Sequence, residues 1–185
     1  MIVKNWEDTM RYIFIVMLIG SFLKAESFTL ASETLKGQIS KAQEFSGFGC
    51  SGKNISPELH WTNPPKGTKS FAVTVYDPDA PTGSGWWHWL IVNIPADTHK
   101  IDADASAKKT LPKGALETMT DYGFAGFGGA CPPQGDKAHR YVFTVHALDV
   151  ERLPVKAESN SAVVGFMINK HTIQKASVIS YYQRD

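Results

Sequence analysis

Three runs of β-branched and aromatic residues dominate the middle of the chain: residues 70–76 (SFAVTVY), 87–93 (WHWLIVN) and 141–148 (YVFTVHAL). Each is bounded by proline, glycine or aspartate, so each is predicted to be a strand. Residues 175–182 (KASVISYY) read as a fourth strand and residues 27–30 as a short first one. Ten prolines and fifteen glycines fall mostly outside these runs and leave little room for helices. The exception lies over residues 159–169. There Ala162, Val163, Phe166 and Met167 recur at helical spacing behind a Ser159/Asn160 start signal, with Gly165 as a weakening element. The expected fold is therefore mainly β, with long irregular connections over residues 45–65 and 121–136, and loops of that length in a compact domain usually carry function.

The length of 185 residues suits one domain with a sizeable core. With 19 basic and 18 acidic side chains the formal charge is +1, which argues against a nucleic-acid partner. The one long apolar run, residues 13–23 (IFIVMLIGSFL), follows Met10-Arg11-Tyr12 and ends at Lys24-Ala25-Glu26. It is shorter than the roughly 20 residues a spanning helix needs, and has the layout of a secretory signal peptide. Residues 1–25 are therefore expected to be removed after Ala25, leaving residues 26–185 as a single domain in the periplasm or secreted, with no stable membrane insertion. Glu7 and Asp8 are unusual in a positive leader, which makes Met10 an alternative start; a retained apolar anchor is the competing reading. Cleavage leaves 16 basic and 16 acidic residues, a net charge of zero. Outside the cytoplasm Cys50 and Cys131, both in glycine-rich loop sequence, could pair as a disulfide; two buried free thiols are the alternative.

Two motif matches are discarded on context. Gly47-Phe48-Gly49-Cys50-Ser51-Gly52 fits G-x-G-x-x-G, but Pro57 follows closely and disfavours the helix a dinucleotide site needs. Ser84, within Thr82-Gly83-Ser84-Gly85, lacks the strand–turn–helix setting of an activated serine. The informative stretch is residues 77–89. Two carboxylates, Asp77 and Asp79, end one strand, and His88 sits among tryptophans in the next. Strict alternation would put His88, Leu90 and Val92 on one face and Trp87, Trp89 and Ile91 on the other. Downstream, His139 and Tyr141 share a face of another strand, after a loop containing Gly126, Gly128 and Gly129. These pieces could form a small anion pocket in which imidazole N–H groups and loop amides donate, and tryptophans supply apolar walls. Asp77 is expected to orient His88. Two histidines and a carboxylate could instead hold iron or zinc, although metal-binding spacings are absent.

Asn54-Ile55-Ser56-Pro57-Glu58-Leu59-His60-Trp61, the Asp77-Pro78-Asp79-Ala80-Pro81 turn with its tryptophan-rich continuation, Cys131-Pro132-Pro133 and His139-Arg140-Tyr141 resemble, in order and separation, the phosphatidylethanolamine-binding protein family. The likeness is greatest to its bacterial branch, the Raf-kinase-inhibitor-like YbhB/YbcL proteins. The resemblance implies two antiparallel sheets, few peripheral helices and a shallow anion site. It places ligand binding on Asp77, Asp79, Trp86, His88, Pro133, His139 and Tyr141, with phosphate-like anions or phospholipid head groups as ligands and no cofactor. The short turn at residues 82–85 and the paired loop cysteines depart from the eukaryotic branch, which puts a kinase partner in doubt. The expected function is that of an exported, non-enzymatic binding protein for phosphate or phosphorylated head groups, with scope to modulate a partner protein. Two alternatives are an inhibitor that uses the pocket for a protein side chain or terminus, and a metal- or histidine-dependent hydrolase of phosphorylated compounds.

Overall fold

A computed structural model describes residues 26–184; the predicted signal peptide and the alternative start at Met10 lie outside the described residues. In chain order the elements are β1 (Thr29–Ala31), β2 (Ser46–Gly47), β3 (Cys50–Ser51), β4 (Leu59–Thr62), β5 (Ser70–Asp77), β6 (Trp86–Pro95), β7 (Lys100–Ile101), α1 (Ala105–Lys108), β8 (Leu116–Glu117), β9 (His139–Leu148), α2 (Ser161–His171) and β10 (Thr172–Tyr182). Five strands form one antiparallel sheet in the order β10-β9-β5-β6-β8, and a second sheet runs β1-β4-β7. The four longest strands are those the β-branched runs predicted.

The small sheet covers one face of the large one. Leu30, Leu59, Trp61 and Ile101 meet Phe71, Val73, Val75, Trp89, Ile91 and Phe143 there. Burying each such side chain contributes roughly 1.5–3 kcal/mol. The opposite face, with Ala72, Leu90, Val92 and Leu148, is covered by Val164 and Ile168 of α2. Asn160 caps this helix, its side-chain oxygen accepting from the Val163 amide at 2.9 Å. The predicted helix thus starts two residues later and ends two residues later than the periodicity alone suggested.

The alternation predicted for β6 does not hold. Val75 pairs with Trp89 but Tyr76 pairs with Trp87, so His88 is an extra residue in a β-bulge. The bulge turns His88 to the side of Trp89, Ile91 and Tyr141, whereas Trp87 packs with Leu90 and Val92 on the α2 side. Bulges bend a strand and re-aim a side chain. A second irregularity lies between Ile91 and Ile94, where Asn93 has a left-handed φ of 58°. The connection over residues 45–65 is less irregular than expected, because it contains β2, β3 and β4.

Candidate functional site

Because β6, β5 and β9 are antiparallel neighbours, the end of β5 lies beside the starts of β6 and β9. That edge gathers Asp77, Trp86, His88, His139 and Tyr141 around a cavity of about 210 Å³. The wall is completed by Pro81 and Thr82 of the β5–β6 turn, by Tyr122, Cys131, Pro132 and Pro133 of the long connection, and by Phe48 of the β2–β3 hairpin. Cys50 and Cys131 form a disulfide across 81 residues of sequence, with Cα atoms 6.0 Å apart. The bridge joins that hairpin to the connection, so two walls of the cavity are covalently linked.

Six of the seven predicted site residues line this cavity; Asp79 does not. Its carboxylate accepts from the Arg140 backbone amide at 2.9 Å, from Arg140 Nε at 2.8 Å and from an Arg140 terminal nitrogen at 2.9 Å. The guanidinium holds the Asp79 carboxyl well below the usual carboxylate range. Asp79 therefore fastens the Asp77-Pro78-Asp79 turn to the start of β9.

Asp77 orients a different histidine from the one expected. His139 Nδ1 donates to Asp77 Oδ2 at 2.8 Å, and both side chains are buried. The other oxygen, Oδ1, accepts from the Asp79 amide at 2.8 Å. Sequence proximity favoured His88, but the β5–β9 register, which pairs Tyr76 with Val142, brings the start of β9 to the end of β5, where the His139 side chain reaches Asp77. The exposed carboxylate of Asp136 approaches His139 Nε2 at 3.4 Å.

His88 is held by the backbone. Its Nδ1 lies 2.8 Å from the Gly128 carbonyl and 3.2 Å from the Gly129 carbonyl. Carbonyls only accept, so Nδ1 carries the hydrogen. Burial pushes the His88 pKa down, opposed by these two carbonyls and by Asp77, and this favours the neutral ring. Its remaining nitrogen, Nε2, is then an acceptor rather than the donor expected.

The amides of Gly128 and Gly129 are also not free for an anion. Gly128 N–H donates to the His88 carbonyl at 2.9 Å, Gly129 N–H to Asn54 Oδ1 at 2.7 Å, and Ala130 N–H to the Gln43 carbonyl at 3.2 Å. The donors left over are side chains. Trp86 Nε1 and the Tyr141 hydroxyl are buried and have no protein partner. Burial, reinforced by Asp77, pushes the Tyr141 pKa up and keeps its O–H intact. Buried polar atoms are rarely left unpaired, so two on one cavity wall point to a ligand or solvent partner.

Sequence reasoning missed Tyr122 and Phe48. The Tyr122 hydroxyl donates to the Gly129 carbonyl at 2.7 Å, and its ring stands edge-on to His88 with centroids 5.5 Å apart. Phe48 sits at the hairpin tip with 71% of its surface exposed. Its only signal in the sequence is an aromatic residue between two glycines. Among the described residues no group of three or more His, Cys, Asp or Glu side chains is placed to hold a metal ion. No described helix is long and apolar enough to cross a membrane.

A family model described as phosphatidylethanolamine-binding protein matches residues 29–183. The protein YbcL of Escherichia coli is 51% identical over 164 residues, covering 86% of this chain and 90% of its own length. YbhB of the same organism is 52% identical over 139 residues, covering 75% of this chain and 87% of YbhB. The crystal structure of YbcL, described as a new member of the mammalian family of that name, superposes with a TM-score of 0.84 over 86% of this chain and all of the other. A homologue from Chlamydia trachomatis gives a TM-score of 0.71 at 27% identity over 86% of this chain and 99% of its own.

Proposed function

Since the chain belongs to the phosphatidylethanolamine-binding protein family, we propose that it is an exported, non-enzymatic binding protein whose cavity takes phosphate or a phosphorylated head group. One observation carries this reading: Trp86 and Tyr141, whose Nε1 and hydroxyl are buried donors without a protein partner, both line one small cavity. Each would donate to a ligand oxygen, in a setting where aromatic walls exclude water and strengthen such contacts. His139, locked by Asp77, and Pro133 shape the wall. Export is supported by the signal-like leader and by the Cys50–Cys131 disulfide, since such bonds persist in oxidising compartments. Calorimetric titration with inorganic phosphate and with O-phosphorylethanolamine tests the proposal. Saturable heat with either supports it; no heat with both, at neutral pH, would sink it.

A second reading is favoured by the exposed Phe48 ring at the cavity rim. Exposed aromatics beside a pocket are common anchors for partner proteins. In this reading the cavity holds a side chain or chain end of another protein, and the family fold acts as an inhibitor or modulator. Phe48→Ser would then abolish partner capture.

A further inference from the structure

The two halves of the Cys50–Cys131 bond differ in their surroundings. Cys131 is half-buried and lines the cavity, whereas Cys50 is buried at 8% exposure and does not line it. A thiol inside the cavity is therefore next to Cys131 and not next to Cys50. One terminal nitrogen of Arg184 lies 4.0 Å from Cys131 Sγ, and the other donates to the Gly49 carbonyl at 2.8 Å. A guanidinium in that place attracts an incoming thiolate, and accessible disulfides are the ones open to exchange.

The same bond holds up a wall. The strands β2 and β3 have two residues each and form a sheet of their own, outside both larger sheets. A two-stranded hairpin is marginal by itself. Its tip carries Phe48, which lines the cavity. With the bond cut, that tip keeps the Arg184 contact and the packing of the Phe48 ring on Phe45 and Tyr122, at 5.5 and 5.7 Å between centroids. The cut also leaves a thiol on Cys131, and the nearby guanidinium favours its thiolate. A loosened wall and a negative charge on it both disfavour an anion in the cavity.

We propose that the Cys50–Cys131 bond is a redox switch on this cavity: a small thiol attacks it at Cys131, its reduction weakens anion binding, and a bound anion in turn shields it. The switch rests on the preceding reading of the cavity as a phosphate site and adds regulation to it. The reductant is a low-molecular-weight thiol. Its thiolate sulfur bonds to Cys131 Sγ, the bond between the two cysteines breaks, and Cys50 leaves as a thiolate that takes a proton from water. A second thiolate attacks the small-thiol sulfur of the mixed disulfide. Cys131 is released as a thiolate, and the small thiol departs as its own disulfide. Two electrons pass from two thiols to the protein. Coupling of this kind is reciprocal, so whatever factor reduction takes from anion affinity, the anion takes from the ease of reduction.

The test uses the unmodified, oxidised protein, after calorimetry has fixed its phosphate affinity. Reduction by excess glutathione is followed by alkylation and mass spectrometry, without phosphate and with phosphate at about a hundred times its Kd, at ionic strength matched with chloride. Phosphate is expected to slow reduction at least about tenfold. In glutathione redox buffers it should lower the reduction potential by about 30 mV, the equivalent of a tenfold weaker phosphate affinity in the reduced protein. The first glutathione adduct should be on Cys131. The protection rate is read on the oxidised chain, so it does not depend on how well the reduced chain folds. An unchanged rate and potential in protein shown to hold phosphate would overturn the switch, and so would a first adduct on Cys50; the phosphate site stands in either case. No heat with phosphate would remove the site, and the switch with it.

Discussion

The central sheet carries a histidine-bearing cavity on each face, and the two differ in one respect that matters. The cavity under α2 is the larger, at about 300 Å³, and includes Thr74, Tyr76, Trp87, His146 and Ile168 in its wall. Its buried histidine has partners on both nitrogens. The Thr172 hydroxyl donates to the Ile168 carbonyl at 2.7 Å, so it accepts from His146 Nδ1 at 3.3 Å. His146 Nε2 then accepts from the Thr74 hydroxyl at 3.2 Å. The cavity at the end of β5 holds about 210 Å³ yet has Trp86 and Tyr141 in its wall, whose Nε1 and Oη are buried without protein partners. Volume would choose the first cavity as the site; unused hydrogen-bonding capacity chooses the second. One is stabilised from within; the other, in the proposed reading, offers its unpaired donors to a ligand.

The two also differ in how their walls are held, and the largest expected effect exploits this. The disulfide closes a loop of 81 residues around the smaller cavity only. Replacing both cysteines by alanine should cost about 4 kcal/mol in the loop-entropy account. Urea unfolding measures the cost. Amide exchange should rise in residues 43–52 and 126–133 while α2 keeps its protection; equal loosening of α2 would show that the two cavities are not mechanically separate.

Acid should strike the α2 side. Burial, with a smaller contribution from Lys175, pushes the His146 pKa from 6.5 down to about 4. The unfolded chain takes up this proton first as pH falls, so stability is present above pH 6.5 and is lost towards pH 4. The loss reaches about 3 kcal/mol at most. A His146→Leu protein should lose less between neutral pH and pH 4 than its parent; an equal loss would assign the acid sensitivity to His88, whose pKa burial also lowers.

How much of this contrast could be read from residues alone depends on the distance over which each interaction acts. The strands were legible because β-branched runs fenced by proline and glycine express a local preference. Asp77, His88, His139 and Tyr141 were legible from their places at strand ends, whereas Trp86 and Pro133 were legible only through a family resemblance. The face of His88 was not, because a bulge is a property of two strands in register, and alternation within one strand cannot show it. Asp77 was assigned to His88, eleven residues away, when its partner is His139, 62 residues away. The glycine loop was expected to offer amides. It offers carbonyls instead, because Asn54, Gln43 and the His88 backbone already take the amides. Each error concerns a long-range pairing, and each changes a donor into an acceptor or moves a carboxylate from one histidine to another.

Two hydroxyl deletions, one per cavity, turn the contrast into a measurement. Thr74→Val keeps the side chain's shape and leaves His146 Nε2 buried without a donor. It should destabilise the protein by about 1–2 kcal/mol, seen as a lower urea midpoint with an unchanged slope. Phosphate affinity should not change, because the substitution lies on the far face of the sheet.

Tyr141→Phe is the smallest expected effect on stability and has the opposite sign. The hydroxyl it removes is buried and has no protein partner, so the folded chain loses a desolvated polar atom and no hydrogen bond. Stability should stay level or rise by up to about 1 kcal/mol, whereas phosphate affinity should fall about tenfold with the loss of a donor to a charged oxygen. A protein that becomes more stable as it binds less well behaves as expected of a site whose polar atoms await a ligand. If Tyr141→Phe instead destabilises as much as Thr74→Val, the hydroxyl is satisfied within the unliganded fold. The difference between the two cavities would then lie in their shapes and not in their chemistry.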